Sequence, residues 1–247
     1  MGYVIFRGIG TEGSASVVGV NNVLANVYVN RMPDHKRAAK RMAEYHVKGR
    51  DGALHVDEGF DNFDITVKLV LINATAATRQ LVNAWADGTG KLVTSDDLTK
   101  CYKATVMDEV EWSRKSANGG YYDVATVTFN CQPFMYETVD SVVEITSNLT
   151  GWINPGTSDA YPLIKIEGTD TEAVAFDFCG EYLVVYGIDP NNPVYIDCEN
   201  GYIYTEDGTS KSVTGKIPKI PLGVNGVYFN PEHPPTKLTV TPHWRWV

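Results

Sequence analysis

The strongest constraint on the fold is a succession of short strand-like segments in the second half of the chain. Between residues 160 and 247 these are PLIKIEG, AVAFDF, EYLVVYGI, PVYIDCE, GYIYTED, GVYFN and KLTVTP. Gly, Pro, Asn and Asp separate them at short intervals, without helical periods between them. Such spacing is typical of a sandwich or jelly roll. We therefore predict a β-sandwich domain over residues 160–247, preceded by a linker over 141–159.

The first half predicts a β domain with one helix. Apolar residues alternate with polar ones from Phe63 to Leu71, which is the period of a half-buried strand. Asn73 or Thr75 can then cap a helix with Ala77, Leu81 and Trp85 on one face. A strand over 102–112 and a hairpin at residues 118–120 complete a predicted sandwich-like domain over residues 1–140, with a further strand over 14–20.

A basic segment interrupts this domain. The chain carries a net charge of -9, yet seven Lys and Arg residues lie between Arg31 and Arg50. Residues 34–45 have a composition that favours helix, and a short irregular arm is the alternative. The charges are either a solvated face or a surface matched to a partner subunit. The candidate interface residues are Arg31, Lys36, Arg37, Lys40 and Arg41, with Asp57 and Glu58 as acids facing a neighbour's basic arm.

The composition argues against several classes of protein. The acidic balance makes nucleic acid an unsuitable partner. No apolar run reaches the ~18 residues of a membrane helix, so we expect a soluble chain without membrane insertion. The four cysteines have no CxxC spacing, and reduced thiols are expected. A hairpin centred near Ser116 would place Cys101 opposite Cys131, which leaves a disulfide between them as an alternative.

No motif indicates catalysis, a metal or a cofactor. The acidic stretch GRDGALHVDEGFDNF fails as a calcium loop, because a loop starting at Asp57 has Asn62 where glycine is required. We expect a turn in which Gly52 and Gly59 have unusual backbone angles. The acid pairs Asp57–Glu58 and Glu206–Asp207 could serve a hydrolase, but neighbours on a strand point to opposite faces.

Aromatic residues in the second half allow two interpretations. Tyr202, Tyr204, Trp244 and Trp246 could form a sugar-stacking platform, or they could fill the sandwich core or a subunit interface. Trp244 and Trp246 are two residues apart and should share one face of a final strand. The first interpretation makes a carbohydrate-binding module the alternative function.

The order and spacing of several segments resemble the distal tail (Dit) proteins of bacteriophages with long non-contractile tails. The N-terminal segments are Gly49–Gly52, Asp57–Phe60, the helix ending at Trp85, Lys91–Leu98, the strand from Tyr102 and the run FNCQPFMYE at 129–137. The C-terminal ones are AYPLIKIEG at 160–168, Ile196–Glu199, IPKIPLGVN at 217–225 and LTVTPHWRW at 238–246. Two departures are a longer basic segment over 34–48 and the lack of a long insertion that carries an added carbohydrate-binding module.

The resemblance implies a non-enzymatic structural hub at the phage tail tip. Its N-terminal domain would form a hexameric ring, and its C-terminal domain would be a galectin-like sandwich outside the ring. The expected partners are further copies of the chain, the tail tube protein, the tail-associated hub protein and, in some phages, the receptor-binding protein. The protein would be assembled in the host bacterial cytoplasm and located in the virion.

Overall fold

The structure, a computed structural model, describes residues 4–8, 27–34, 36–117, 119–168 and 173–247. The strand predicted over 14–20 lies outside these residues. The described chain is mainly β, as predicted, and it divides between Thr138 and Val139 into two compact units.

The first unit contains one large antiparallel sheet, a helix and a separate two-stranded sheet. Its strands β1 to β9 and helix α1 are β1 (Val4–Gly8), β2 (Val27–Arg31), β3 (Lys40–Tyr45), β4 (Leu54–Phe60), β5 (Phe63–Ile72), α1 (Ala76–Trp85), β6 (Gly88–Thr94), β7 (Asp97–Val106), β8 (Glu111–Ala117) and β9 (Gly120–Glu137). The large sheet has the order β1-β6-β7-β9-β5-β2, and β8 pairs with β9. Strands β3 and β4 form the small sheet.

The large sheet curls around the main core of the first unit. Strands in a flat sheet lie about 4.8 Å apart, so three steps from β1 to β9 would span about 14 Å. The rings of Phe6 on β1 and Phe129 on β9 are nevertheless only 5.1 Å apart between centroids. This half of the chain is therefore sandwich-like because one sheet folds over itself, and the core lies between its two halves.

Helix α1 covers one side of that core. The hydroxyl of Thr75 accepts a hydrogen bond from the backbone N–H of Thr78, which confirms Thr75 as the cap. Val82 and Trp85 are the buried residues of the helix, and Trp85 packs on Phe129 at 5.7 Å between ring centroids. Ala77 and Leu81, predicted on the buried face, are exposed because the apolar stripe runs through Val82 instead.

The predicted hairpin forms between β8 and β9, with Ala117 paired to Gly120. The strand predicted over 102–112 is divided into β7 and β8. Cys101 and Cys131 are not opposite each other, because β9 pairs with β7 through Cys131 and Ala104, and Cys101 lies opposite Tyr136. Both cysteines are free thiols, so the alternative of a disulfide between them was wrong.

The basic segment forms a β-hairpin, which we call the arm, defined as residues 40–60. The helix predicted over 34–45 was wrong, since β3 pairs with β4 from Lys40–Phe60 to Tyr45–Leu54. Gly49 and Gly52 have positive φ values of 85° and 76° in the connecting turn. Gly59, with a φ of 97°, lies where the pairing register shifts. Pairing between distant segments has overridden the local preference for helix.

The second unit is a sandwich of two five-stranded antiparallel sheets. Its strands are β10 (Val143–Ile145), β11 (Leu149–Asn154), β12 (Leu163–Glu167), β13 (Ala173–Phe178), β14 (Glu181–Tyr186), β15 (Val194–Asp197), β16 (Tyr202–Thr205), β17 (Val213–Thr214), β18 (Gly223–Phe229) and β19 (Lys237–Thr241). One sheet has the order β10-β19-β12-β15-β16 and the other β11-β18-β13-β14-β17. The galectin-like assignment of this sandwich stays a prediction.

Buried side chains from both sheets form the core of this unit. Ile164 and Val240 come from the first sheet, and Phe176 and Val227 from the second. All seven strand segments predicted from the sequence contribute strands. Residues 141–159, predicted as a linker, contain β10 and β11, which are edge strands of the two sheets. The weak pattern there reflects edge positions, which have one neighbouring strand.

Candidate interaction surfaces

The arm has one apolar face and one polar face. Ala43 pairs with Val56 and Tyr45 with Leu54. Directly opposed residues project from the same face of a hairpin, so these four side chains lie together. The alternate positions Glu44, His55, Asp57 and Met42 project from the other face. The amphipathic character becomes apparent only when the two strands are combined.

The apolar face of the arm is exposed in the isolated chain. Tyr45 is 55% exposed, Leu54 39% and Val56 50%. Strands β3 and β4 form a sheet of two strands, and no third described strand extends it. A two-stranded sheet is marginally stable alone in water. A clustered apolar face of this kind is typical of a surface that another protein covers.

The base of the arm is held against the rest of the first unit. Phe60 at the end of β4 makes an edge contact with Phe134 on β9, with ring centroids 5.4 Å apart. Lys36 Nζ donates a hydrogen bond to the carbonyl of Asp64 on β5. The arm is therefore anchored at one end, which fixes where its exposed face is presented.

Most candidate interface charges are paired within the chain. Arg31 is 2.8 Å from Asp34, Lys40 Nζ is 2.6 Å from Asp57, and Arg41 Nε is 3.5 Å from Asp61. The pairing of Asp57 with Lys40 of the same arm does not support the hypothesis that Asp57 meets a neighbour's basic arm.

Two of these residues also stabilise the arm itself. The ammonium of Lys40, followed by the backbone N–H of Gly59, lowers the pKa of Asp57. Arg41 donates to the carbonyl of Glu58, whose side chain is exposed. Lys36 and Arg37 are exposed too. Lys40 and Arg41 therefore have partners within the hairpin, whose apolar face stays exposed.

A buried carboxylate lies elsewhere in the first unit, between two arginines. The carboxylate of Asp123 on β9 accepts from Arg79 Nε at 2.8 Å and from Arg114 Nε at 3.0 Å. Arg114 and then Arg79 lower the pKa of Asp123. Because Arg79 belongs to α1 and Arg114 to β8, this cluster ties the helix to the hairpin. Sequence reasoning missed it, although Arg114 lies directly opposite Asp123 in the predicted hairpin, and a cross-strand charge pair was the available signal. Nothing local links Arg79 to them.

The four aromatic residues proposed for sugar stacking are not brought together. Trp244 is 5% exposed and packs against Trp152 in the core, with ring centroids 5.6 Å apart. Trp246 is partly buried against the same core. They do not lie on one regular strand, because β19 ends at Thr241 and His243 has a φ of 51°. Tyr202 and Tyr204 lie on β16, at a different place on the sandwich.

The carboxylate of Asp207, from the second acid pair, is held by hydrogen bonds within its own turn. Asp207 accepts from the hydroxyl of Thr205 and the N–H of Thr209, which lower its pKa to about 2. A carboxyl with so low a pKa cannot act as a general acid near neutral pH. Among the residues that the structure describes, no group of three or more metal-ligating side chains occurs. Nor does the described part of the chain include a helix long and apolar enough to cross a bilayer.

Comparison with known proteins places the fold. No protein-family model matches the chain, and no curated protein matches its sequence. Among solved structures, the Dit protein (gp 19.1) of phage SPP1 matches with a TM-score of 0.71 at 14% identity, over 100% of both chains. It is described as a paradigm of the hub adsorption apparatus in phages that infect Gram-positive bacteria. A phage p2 baseplate structure matches with a TM-score of 0.51 at 10% identity, over 97% of both chains.

The chain has the fold of a phage distal tail protein. The likeness to the SPP1 protein covers the whole chain and therefore includes both units. The resemblance drawn from the sequence is confirmed at the level of the fold.

Proposed function

We propose that this protein is a structural hub of a phage tail tip, in which copies of the first unit form a closed ring, with six subunits as the expected number. The observation that carries the proposal is the exposed apolar face of the arm. The full-length likeness to a protein described as part of a hub supports it.

A second copy of this chain is the occupant proposed for the apolar face. The apolar face is narrow. The ion pair of Lys40 and Asp57 lies on the opposite side of the same hairpin. A hairpin projecting from one subunit onto a different surface of the next makes a heterologous contact. Heterologous contacts generate rings when the rotation between subunits closes, so one arm per subunit suffices for a ring.

The proposed partners are the tail components that would contact the two sides of the ring. One side would meet the tail tube protein and the other the tail-associated hub protein, with a receptor-binding protein as a further partner where the phage has one. The protein would then be found in the virion, at the tail tip, after assembly in the cytoplasm of the host bacterium. Its role is to hold unlike components in register, which requires contact surfaces and no catalysis.

The mass of the purified full-length protein in solution tests this function. Size-exclusion chromatography with light scattering should give a multiple of the 27.2 kDa chain, with six copies as the expected number. Negative-stain images should show rings with a central hole. A strict monomer at high concentration, with no rings in the images, would overturn the proposal.

A further inference from the structure

A cluster of tyrosines lies on the outer face of the sandwich, at the β16 edge of its first sheet. Tyr195 is paired with Tyr204, and Asp197 with Tyr202. Paired residues share a face, so all four side chains project to the same side. The intervening residue Ile196 is buried in the core, which makes this side the outer one.

Two of the tyrosine rings stack on each other, and a third is exposed. The rings of Tyr195 and Tyr204 are stacked, with centroids 5.5 Å apart and planes 11° from parallel. Tyr202 is 67% exposed. It lies two residues from Tyr204 on the same strand, which corresponds to about 6.8 Å. An open depression of about 400 Å³ lies here, lined by Gly201, Tyr202, Ile203, Tyr204, Ser210 and Lys211.

Polar groups surround these rings. Lys165 lies beside Tyr195 across the sheet and is paired with Glu167 at 2.7 Å. Glu206 is close enough to raise the pKa of Lys165, although less strongly than Glu167 does. The hydroxyl of exposed Ser210 adds a donor and acceptor at the depression. Flat aromatic surfaces thus stand among charged groups and hydroxyls.

This combination matches the chemistry of a sugar ring. A pyranose has an apolar face of C–H groups, which packs on an aromatic ring, and a rim of hydroxyls that need hydrogen-bond partners. The core of a protein–protein interface is depleted of charged residues, whereas charges adjoin the tyrosines here. A pocket for an apolar small molecule would enclose its ligand, and this depression is open.

We propose that the depression at Tyr202 and Tyr204 is a saccharide-binding site that takes pyranose units of a surface polysaccharide. Tyr202 provides the exposed stacking face, and Tyr204 is held in position by stacking on Tyr195. Trp244 and Trp246 take no part, because they pack in the core. The site is separate from the arm and does not rest on ring formation.

Affinity electrophoresis of the full-length protein tests the site. Native gels would contain glycol chitin, dextran or arabinogalactan, which present N-acetylglucosamine, glucose and galactose units. At least one polymer should retard the protein, and Tyr202→Ala should weaken that binding by about tenfold, since one stacking contact is worth ~1–1.5 kcal/mol. Tyr202→Phe keeps the ring and should keep most of the binding.

The matched control is Tyr186→Ala. Tyr186 is 51% exposed on the outer face of the second sheet and does not line the depression. Its loss should leave both the retardation and the subunit number unchanged, and Tyr202→Ala should also leave the subunit number unchanged. No retardation by any of the three polymers, or equal losses for Tyr202→Ala and Tyr186→Ala, would overturn the proposal. So would a Tyr202→Ala protein that binds polymer normally but fails to enter tails, since that result would indicate a protein contact.

Discussion

Replacing the apolar face of the arm should weaken the contact between subunits without unfolding the chain. The variant carries Tyr45→Thr, Leu54→Thr and Val56→Thr. Threonine has a high preference for strands, so the hairpin is expected to persist. Full burial of one such side chain contributes about 1.5–3 kcal/mol, and roughly half of each is still accessible in the isolated chain.

The size of the effect follows from that accessibility. Covering the remaining half should contribute about 1 kcal/mol for each residue, or ~3 kcal/mol for the three. Threonine keeps one methyl group, so the variant should lose about 2 kcal/mol per subunit contact. This corresponds to roughly a thirtyfold weaker contact. Sedimentation velocity over a concentration series should show dissociation at concentrations where the unchanged protein is still assembled.

A matched variant separates this effect from a general loss of apolar surface. Tyr186→Thr, Leu222→Thr and Val224→Thr change the same three residue types at exposed positions of the second unit. This control should assemble like the unchanged protein, and both variants should keep its melting temperature within a few degrees. If the arm variant dissociates no more readily than the control, the apolar face does not form the subunit contact and the reasoning fails.

Three further predictions concern the stability and chemistry of the single chain. Asp123→Asn should lower the free energy of unfolding by about 2 kcal/mol near neutral pH, because two arginines lose their anionic partner. The pKa of Asp123 in the folded protein is below its ordinary 3.8. Its contribution to the free energy of unfolding is therefore fully present above pH 3.8 and is lost as the pH falls through the folded pKa. The stabilities of the two proteins should accordingly converge in acid denaturation. Burial raises the pKa of Cys131 and Cys198 to about 12. Iodoacetamide near pH 8 should therefore label these thiols slowly in the folded protein. Rapid labelling, detected by mass spectrometry, would contradict this prediction. Gly215→Ala should lower the melting temperature more than Gly208→Ala. Both glycines have positive φ, but only at Gly215 would the new Cβ meet the carbonyl of Tyr182. Equal decreases in melting temperature would refute this steric explanation.

Strands with strict alternation could be predicted from the sequence because burial imposes the pattern locally. Phe63 to Leu71 alternates in sequence, and Ile65, Val67, Leu69 and Leu71 are buried in the structure. Helix α1 was predicted from an apolar face at helical spacing, with Asn73 or Thr75 as its cap, and the structure has Thr75 there. Its buried face was misplaced because alanine fits on either side of a helix and Leu81 is apolar yet exposed. A local sequence pattern therefore predicts that a helix or strand forms more reliably than it predicts which of its faces is buried.

Features that depend on distant residues could not be predicted in this way. The residues of β3 favour helix taken alone, and they form a strand because residues 54–60 pair with them. Asp123 is bound by Arg114, its cross-strand partner in the hairpin, and by Arg79, which is 44 positions away and which no local rule selects. The sequence did indicate Tyr202 and Tyr204, but their separation from Trp244 follows from the strand order, in which β12 and β15 lie between β19 and β16.

The corrected arm changes how the charges in this segment relate to assembly. The sequence suggested that excess basic charge would meet a neighbour's acids, whereas Lys40 and Arg41 pair with acids of their own segment. Exposed ion pairs contribute little free energy, and salt screens them, so a contact built on them would weaken at high ionic strength. A contact built on the apolar face depends instead on area removed from water, which salt does not screen. The hairpin pairing thus neutralises the charges locally and collects Tyr45, Leu54 and Val56 on one face, so that the same pairing both folds the arm and creates the surface proposed to join subunits.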